Sequence, residues 1–200
     1  MVHISLRVLV GNSRKSLLPD GQCSASVNRR WNKPGAILFK SMKKTQQPMN
    51  PDDYMRLAIA MAQKVPRFPF GAVIVQRETG EVLAKGYNRS SRNPTVHGEI
   101  DVINRCAAAH VNIDWTALDL YTTAEPCPMC QSAIAWSGIA TVYFGTSIPF
   151  LQQHGWRQID IRAEEVARRT PFRQTTVIGG ILEAECNALF EAAQRRGEQA

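Results

Sequence analysis

The chain has 200 residues, of which 44% are hydrophobic and 20% charged, and it carries a formal net charge of +7. This is the composition of a globular protein. No run reaches the ~18 apolar residues of a membrane span, and five cysteines argue against a disulfide framework and for a reducing, cytoplasmic setting. The charge is uneven: residues 1–45 hold nine Lys/Arg against Asp20 alone, a net of +8, whereas the other 155 residues hold 15 basic and 16 acidic side chains, a net of −1. The basic excess therefore belongs to the start of the chain and gives residues 46–200 no overall excess for nucleic acid.

Residues 1–45 lack a sustained period after Val10 and are broken by Pro19-Asp20-Gly21 and Pro34-Gly35. They are expected to form a basic, disordered tail ahead of one folded domain over 46–200. Their composition also fits an organelle transit peptide, and a natural start at Met42 or Met49 is a third reading. Order is expected from Asn50-Pro51-Asp52-Asp53: Asn50 can cap, Pro51 suits the first helical position, and the two acids favour the positive end of the helix dipole. Met55, Ala58, Ile59 and Ala62 mark one buried face of that helix, which Pro66 stops. Residues 71–75 and 82–87 read as a β-hairpin turning at Thr79-Gly80, with Asn88 closing the second strand. A polar loop leads to a helix from about His97 to His110, expected to bury Ile100, Ile103 and Ala107. A strand at 119–123, a helix from Cys127 to Trp136 and a strand at 141–145 follow. Residues 147–174 form a long polar connection with short helices near 149–154 and 163–169. A last strand (175–178) and a helix (182–193) close the chain. This order predicts a mixed sheet with helices on both faces.

Two stretches carry chemistry, Thr95-Val96-His97-Gly98-Glu99 and Glu125-Pro126-Cys127-Pro128-Met129-Cys130. Together they offer one imidazole, two thiolates and an unligated carboxylate. Three protein ligands leave a fourth zinc position open to water, the mark of a catalytic rather than a structural site. Zinc would lower the pKa of that water towards neutrality, and Glu99 stands close enough to trade protons with it. A lone C-x-x-C could instead be a redox pair or half of a zinc knuckle with Cys23, Cys106 or Cys186 as a further ligand. On that reading the protein would be a non-catalytic, zinc-stabilised binding module. The distant His-x-Glu favours the catalytic site.

The two stretches resemble the H-x-E…P-C-x-x-C signature of zinc nucleobase deaminases, the cytidine-deaminase-like superfamily, in its guanine-deaminase and tRNA-adenosine-deaminase branch. The resemblance extends over about residues 50–196. It implies a three-layer α/β/α fold around a central mixed five-stranded sheet, one Zn²⁺ per chain and a homodimer. It assigns His97, Cys127 and Cys130 as metal ligands and Glu99 as the proton carrier. Asn88 would hydrogen-bond the base or sugar, Phe70 would stack on the base, and the backbone N–H groups of Gly98 and Cys127 would donate hydrogen bonds at the reacting centre. The reaction implied is hydrolytic deamination of a nucleobase or nucleoside, a purine such as guanine, or alternatively of adenosine in a tRNA anticodon.

This chain departs from the family in two places. It has His97-Gly98-Glu99 where His-Ala-Glu is usual. Guanine deaminases carry an acid soon after a Gly-aromatic pair, whereas Gly155-Trp156-Arg157-Gln158 has none nearer than Asp160. Trp156 and Asp160 are therefore the candidates for contact with the base, Asp160 having a helix cap as its alternative role.

Overall fold

The computed structural model describes residues 49–197; the expected tail at 1–45 lies outside them. Helix α1 (Pro51–Ala62) starts as its capping residues require, with the Asp52 N–H donating to Asn50 Oδ1 at 3.2 Å. Tyr54, Met55, Ala58, Ile59 and Ala62 are buried along one stripe. Strands β1 (Gly71–Gln76) and β2 (Val82–Tyr87) form the hairpin. Helix α2 (Gly98–Ala109), strand β3 (Leu118–Ala124), helix α3 (Pro128–Ser137) and strand β4 (Thr141–Thr146) follow, then the short helices α4 (Ile148–Gln153) and α5 (Ala163–Arg168). Strand β5 (Thr176–Ile178) and helix α6 (Glu183–Gly197) close the domain.

The sheet order is β2-β1-β3-β4-β5. Strand β1 pairs antiparallel with both β2 and β3, while β3–β4 and β4–β5 are parallel, so the sheet is mixed and five-stranded. Side chains alternate across a strand, and β1 shows the consequence. Ala72 and Ile74 face Val102, Cys106 and Ile134 of α2 and α3, whereas Val73 and Val75 face Tyr54 of α1. Tyr121 and Tyr143 continue the second face, stacked with ring centroids 4.5 Å apart. Helix α6 shares that side, its Cys186 packed against Met55 and Ala58 of α1. The result is the α/β/α layering expected from the order of elements.

Two expectations shift. Helix α2 leaves Ile100 and Ile103 only half-buried, Ile103 packing at the margin of the core, and does not bury Ala107. Its buried residues are Gly98, Glu99, Asp101, Val102 and Cys106, and Ala107 is exposed. The helix is rotated so that Glu99 faces inward, and the stripe at 99, 102 and 106 follows from that polar residue rather than from the bulkiest apolar ones. Helix α6 runs to Gly197 rather than stopping at Ala193, which carries its last turn over the site described below.

Helix α1 lies so close to the start of β1 that a Cβ on Gly71 would collide with the Ala58 carbonyl oxygen and the Ala62 nitrogen, both backbone atoms. Gly71→Ala should therefore destabilise the domain by about 1–3 kcal/mol, as overpacking does in a close-packed core, while Ala107→Ser on the exposed side of α2 should cost only a few tenths of that. Urea denaturation of the two variants measures the difference.

Candidate metal centre

His97 and Cys127 are the residues that immediately precede α2 and α3, each in extended backbone conformation, and Cys130 lies in the first turn of α3. Two helix N-termini, with their positive dipole ends, thus converge on one point, an arrangement that favours thiolate ligands. His97 Nδ1 is 3.7 Å from Cys127 Sγ and 3.6 Å from Cys130 Sγ. A tetrahedral zinc with Zn–S of about 2.3 Å and Zn–N of about 2.0–2.1 Å needs N···S separations of about 3.6 Å. The donor set and its spacing fit the ion, with Nδ1 as the ligating nitrogen. Among the described residues this is the only such group, and no fourth protein ligand joins it. Cys106 and Cys186 are buried in the packing of α2 and α6, and Cys23 lies outside the described residues.

Close packing sets this convergence. A Cβ on residue 98 would come 2.8 Å from the Phe70 carbonyl oxygen, so glycine lets the start of α2 rest directly on the residue leading into β1. The Phe70 carbonyl is held there by the Asn88 N–H at 2.8 Å, and Thr123 Oγ1 joins Pro69 O to Gly71 N at the neighbouring strand.

The three ligands perturb one another. The Cys130 thiol donates to Cys127, and this, opposed by burial and aided by His97, brings Cys127 down to about 4. Cys130 is pushed well above its ordinary value by that same donation and by burial. His97 is raised by its bond to the Cys127 thiolate. Glu99 is buried, and burial pushes its carboxyl above the ordinary range. Its side-chain partner is the Thr122 hydroxyl, which donates to Oε1 at 3.3 Å.

A cavity of 410 Å³ opens beside the ligands, with His97, Glu99 and Cys127 on its floor. Phe70 and Trp156 line it as expected. The Phe70 ring lies 6.4 Å from the His97 ring at an interplanar angle of 20° and meets Trp156 edge-on at 5.7 Å. Asn88 also lines it while closing a local turn: its Oδ1 accepts from the Ser90 N–H at 3.2 Å, and its Nδ2 donates to Ser90 Oγ. Gly98 is buried behind the ligands. Asp160 is not brought to the cavity. The chain bends there to deliver Arg162 and Ala163 to Glu125, which leaves Asp160 exposed, and Gln158 lines the wall instead. Nor does Asp160 cap α5, whose N-cap residue is Arg162.

Several residues around the cavity escaped the sequence reading. Glu125 lines it and is 3% exposed. A charged residue at the end of an apolar strand, just before Pro126-Cys127, was the available signal. Thr122 gave none, because threonine is an ordinary strand former. Gln194 and Gly197 reach the cavity only because α6 extends past Ala193.

Three protein ligands, a buried carboxylate beside them and a cavity that reaches both define a zinc hydrolase. Residues 49–146 match the family model for the cytidine and deoxycytidylate deaminase zinc-binding region. The guanine deaminase of Bacillus subtilis (strain 168) is 32% identical over 141 residues, 64% of this chain and 88% of the relative. The tRNA-specific adenosine deaminase of Rickettsia bellii is 38% identical over 124 residues, 61% of this chain and 81% of the relative. The crystal structure of a guanine deaminase from Nitrosomonas europaea superimposes with a TM-score of 0.65 at 24% identity, over 76% of this chain and 90% of that one, a likeness of fold. The chain belongs to the cytidine-deaminase-like zinc deaminases. It is accordingly an enzyme, a hydrolytic deaminase with one zinc ion, for which His97, Cys127 and Cys130 are placed.

Zinc requires a neutral His97 and an ionised Cys130, and the interactions above push both groups up from their ordinary values. Uptake should therefore release protons and tighten as pH rises. Calorimetry in buffers of different ionisation heat measures the count, and uptake without proton release would contradict the ligand assignment. His97→Ala, Cys127→Ala and Cys130→Ala should lose most of the zinc found by metal analysis, whereas Cys106→Ser and Cys186→Ser should keep it.

Proposed function

We propose that this deaminase acts on a free aminopurine such as guanine, replacing the exocyclic amine by oxygen and releasing ammonia. The observation that carries the reading is the walled cavity. At 410 Å³ it lies at the small end of the roughly 300–1,000 Å³ of small-molecule sites, and the 147–162 connection and the end of α6 form its sides. The 32% identity to a guanine deaminase supports the same substrate class.

Zinc, when bound by His97, Cys127 and Cys130, supplies a Lewis acid that makes water a nucleophile near neutral pH. Glu99 would accept one proton from the attacking water and pass it to a ring nitrogen, then take the second from the new hydroxyl and pass it to the amine, so that water supplies the new oxygen and ammonia leaves. Burial suits Glu99 to the task, because a carboxyl raised towards neutrality can both take and give a proton. Phe70 gives the planar base an aromatic surface to pack on, with Trp156 set edge-on beside it. The Gly98 and Cys127 N–H groups, at two helix starts, are the backbone donors assigned to the reacting centre. Reading of the base edge falls to amides. Asn88, Gln158 and Gln194 each offer a donor and an acceptor, which suits a base presenting the two side by side.

A second reading, deamination of adenosine in a tRNA anticodon, is favoured by Arg67 and Arg157, which line the cavity and form no ion pair among the described residues. It is supported by the 38% identity to a tRNA-specific adenosine deaminase. We also propose a cytoplasmic location, in keeping with four cysteines among the described residues that form no disulfide. No helix among the described residues is long and apolar enough to cross a membrane. We further propose a homodimer, in keeping with the exposed Trp136–Phe172 pair, whose ring centroids are 4.5 Å apart.

Ammonia release from guanine, adenosine and an anticodon stem-loop, at 50 and 200 mM salt, separates the two substrates. Turnover of guanine should change little with salt, whereas binding through several phosphates falls by about 10³–10⁵ over that range. Activity confined to the stem-loop, with steep salt dependence, would establish the tRNA reading. Glu99→Gln should retain zinc and lose about 10²–10⁴-fold in kcat. Full activity in that variant would remove Glu99 from its role.

A further inference from the structure

The cavity wall formed by residues 149–161 is an excursion with two feet, and both stand on one carboxylate. Glu125 accepts from the Ile148 N–H at 3.0 Å, where α4 begins, and from the Ala163 N–H at 2.9 Å, where α5 begins. Arg162 Nε donates to both of its oxygens at 2.8 Å. The Glu125 side chain is 1% exposed, and Ile148 and Ala163 are fully buried, so no solvent stands ready to replace it. Its own N–H donates to Thr146 O at 2.7 Å, which fixes the carboxylate to the end of the sheet. Between the feet, Leu151 and Trp156 pack with Ala124 and Phe190, and Trp156, Arg157 and Gln158 face the cavity. Two residues further along the chain is the metal ligand Cys127.

We infer that Glu125 is a positioning residue, which pins both ends of the 148–163 excursion and so sets the distance between the base-contacting wall and the metal centre. Its chemistry is that of a clamp. A carboxylate presents only acceptors, enough for two backbone amides and a guanidinium at once. A glutamine in its place has one acceptor oxygen, and its NH₂ group must meet a donor, so one foot loses its partner. A buried amide left without a partner costs far more than an ordinary hydrogen bond contributes, and the foot moves. The excursion then swings as a loop held at one end, and the substrate loses its wall while the metal ligands and Glu99, held by α2 and α3, stay in place.

Glu125→Gln in the full chain tests this with two readouts. Hydrogen exchange at the Trp156 amide, which bonds Leu151 O at 2.9 Å and not Glu125, should accelerate about tenfold or more, while β3 and α3 keep their protection. That arm needs no substrate and stands whether or not guanine is turned over. In the kinetic arm, which rests on the proposed deaminase reading, KM for guanine should rise about tenfold with a much smaller change in kcat, and zinc content should hold. Unchanged exchange at Trp156, a fall in kcat at constant KM, or loss of zinc would each overturn the proposal. If Glu125→Gln fails to fold, Arg162→Ala removes one donor from the solvent side and should give the same pattern more weakly, with Arg162→Lys closer to the parent. No change in either readout for Arg162→Ala would then overturn it.

Discussion

An imidazole nitrogen must sit within about 3.7 Å of two sulfurs for the centre to exist, and each of the three is delivered by the start of a helix. Two helix N-termini can approach that closely only if nothing bulky intervenes and if their backbones rest on a rigid base. Gly98 meets the first condition by lying against the Phe70 carbonyl. The second is met by the register of β1 with β3, in which Ala72 pairs with Thr122. Thr122 then bonds Glu99 and Thr123 bonds the chain on either side of Phe70. The hydroxyls that look like ordinary strand residues are the joints between sheet and centre.

The domain buries three carboxylates around this region and treats them differently. Asp101 is answered by Arg105 Nε at 2.8 Å, by the Tyr87 N–H at 3.2 Å and by Arg89 at 3.5 Å, which ties α2 to the loop carrying Asn88. Glu125 is answered by two amides and Arg162. Glu99 meets the Thr122 hydroxyl at 3.3 Å and the Cys130 thiol, and faces the cavity. Asp101 and Glu125 spend their oxygens on guanidinium groups and backbone amides, whereas at Glu99 burial dominates and pushes the carboxyl up. The same functional group thus takes three different sets of neighbours, and only Glu99, beside the metal ligands, is proposed to carry protons.

Much of this was legible in the chain because local rules and the fold agreed. The cap at Asn50, the hairpin around Thr79-Gly80, both metal motifs at helix starts and the two short helices of the long connection all rest on residues whose preferences act within a few positions. What escaped depended on partners distant in sequence. The inward face of α2 follows from placing Glu99, not from its apolar period. Gln158 rather than Asp160 reaches the cavity because the chain bends to meet Glu125, 37 residues upstream of Arg162. The reach of α6 beyond Ala193 is set by Phe190 docking on Phe70 and Trp156, a contact between opposite ends of the domain.

That last contact separates two events in time. All three metal ligands lie at or before Cys130, on elements built from β1, α2, β3 and α3, whereas the wall of the cavity needs residues 148–158 and then Gln194 to Gly197. During synthesis at about 5–20 residues per second, the ligands leave the ribosome several seconds before the end of α6. The three ligands are thus complete in the emerging chain before the segments that wall the cavity have been made.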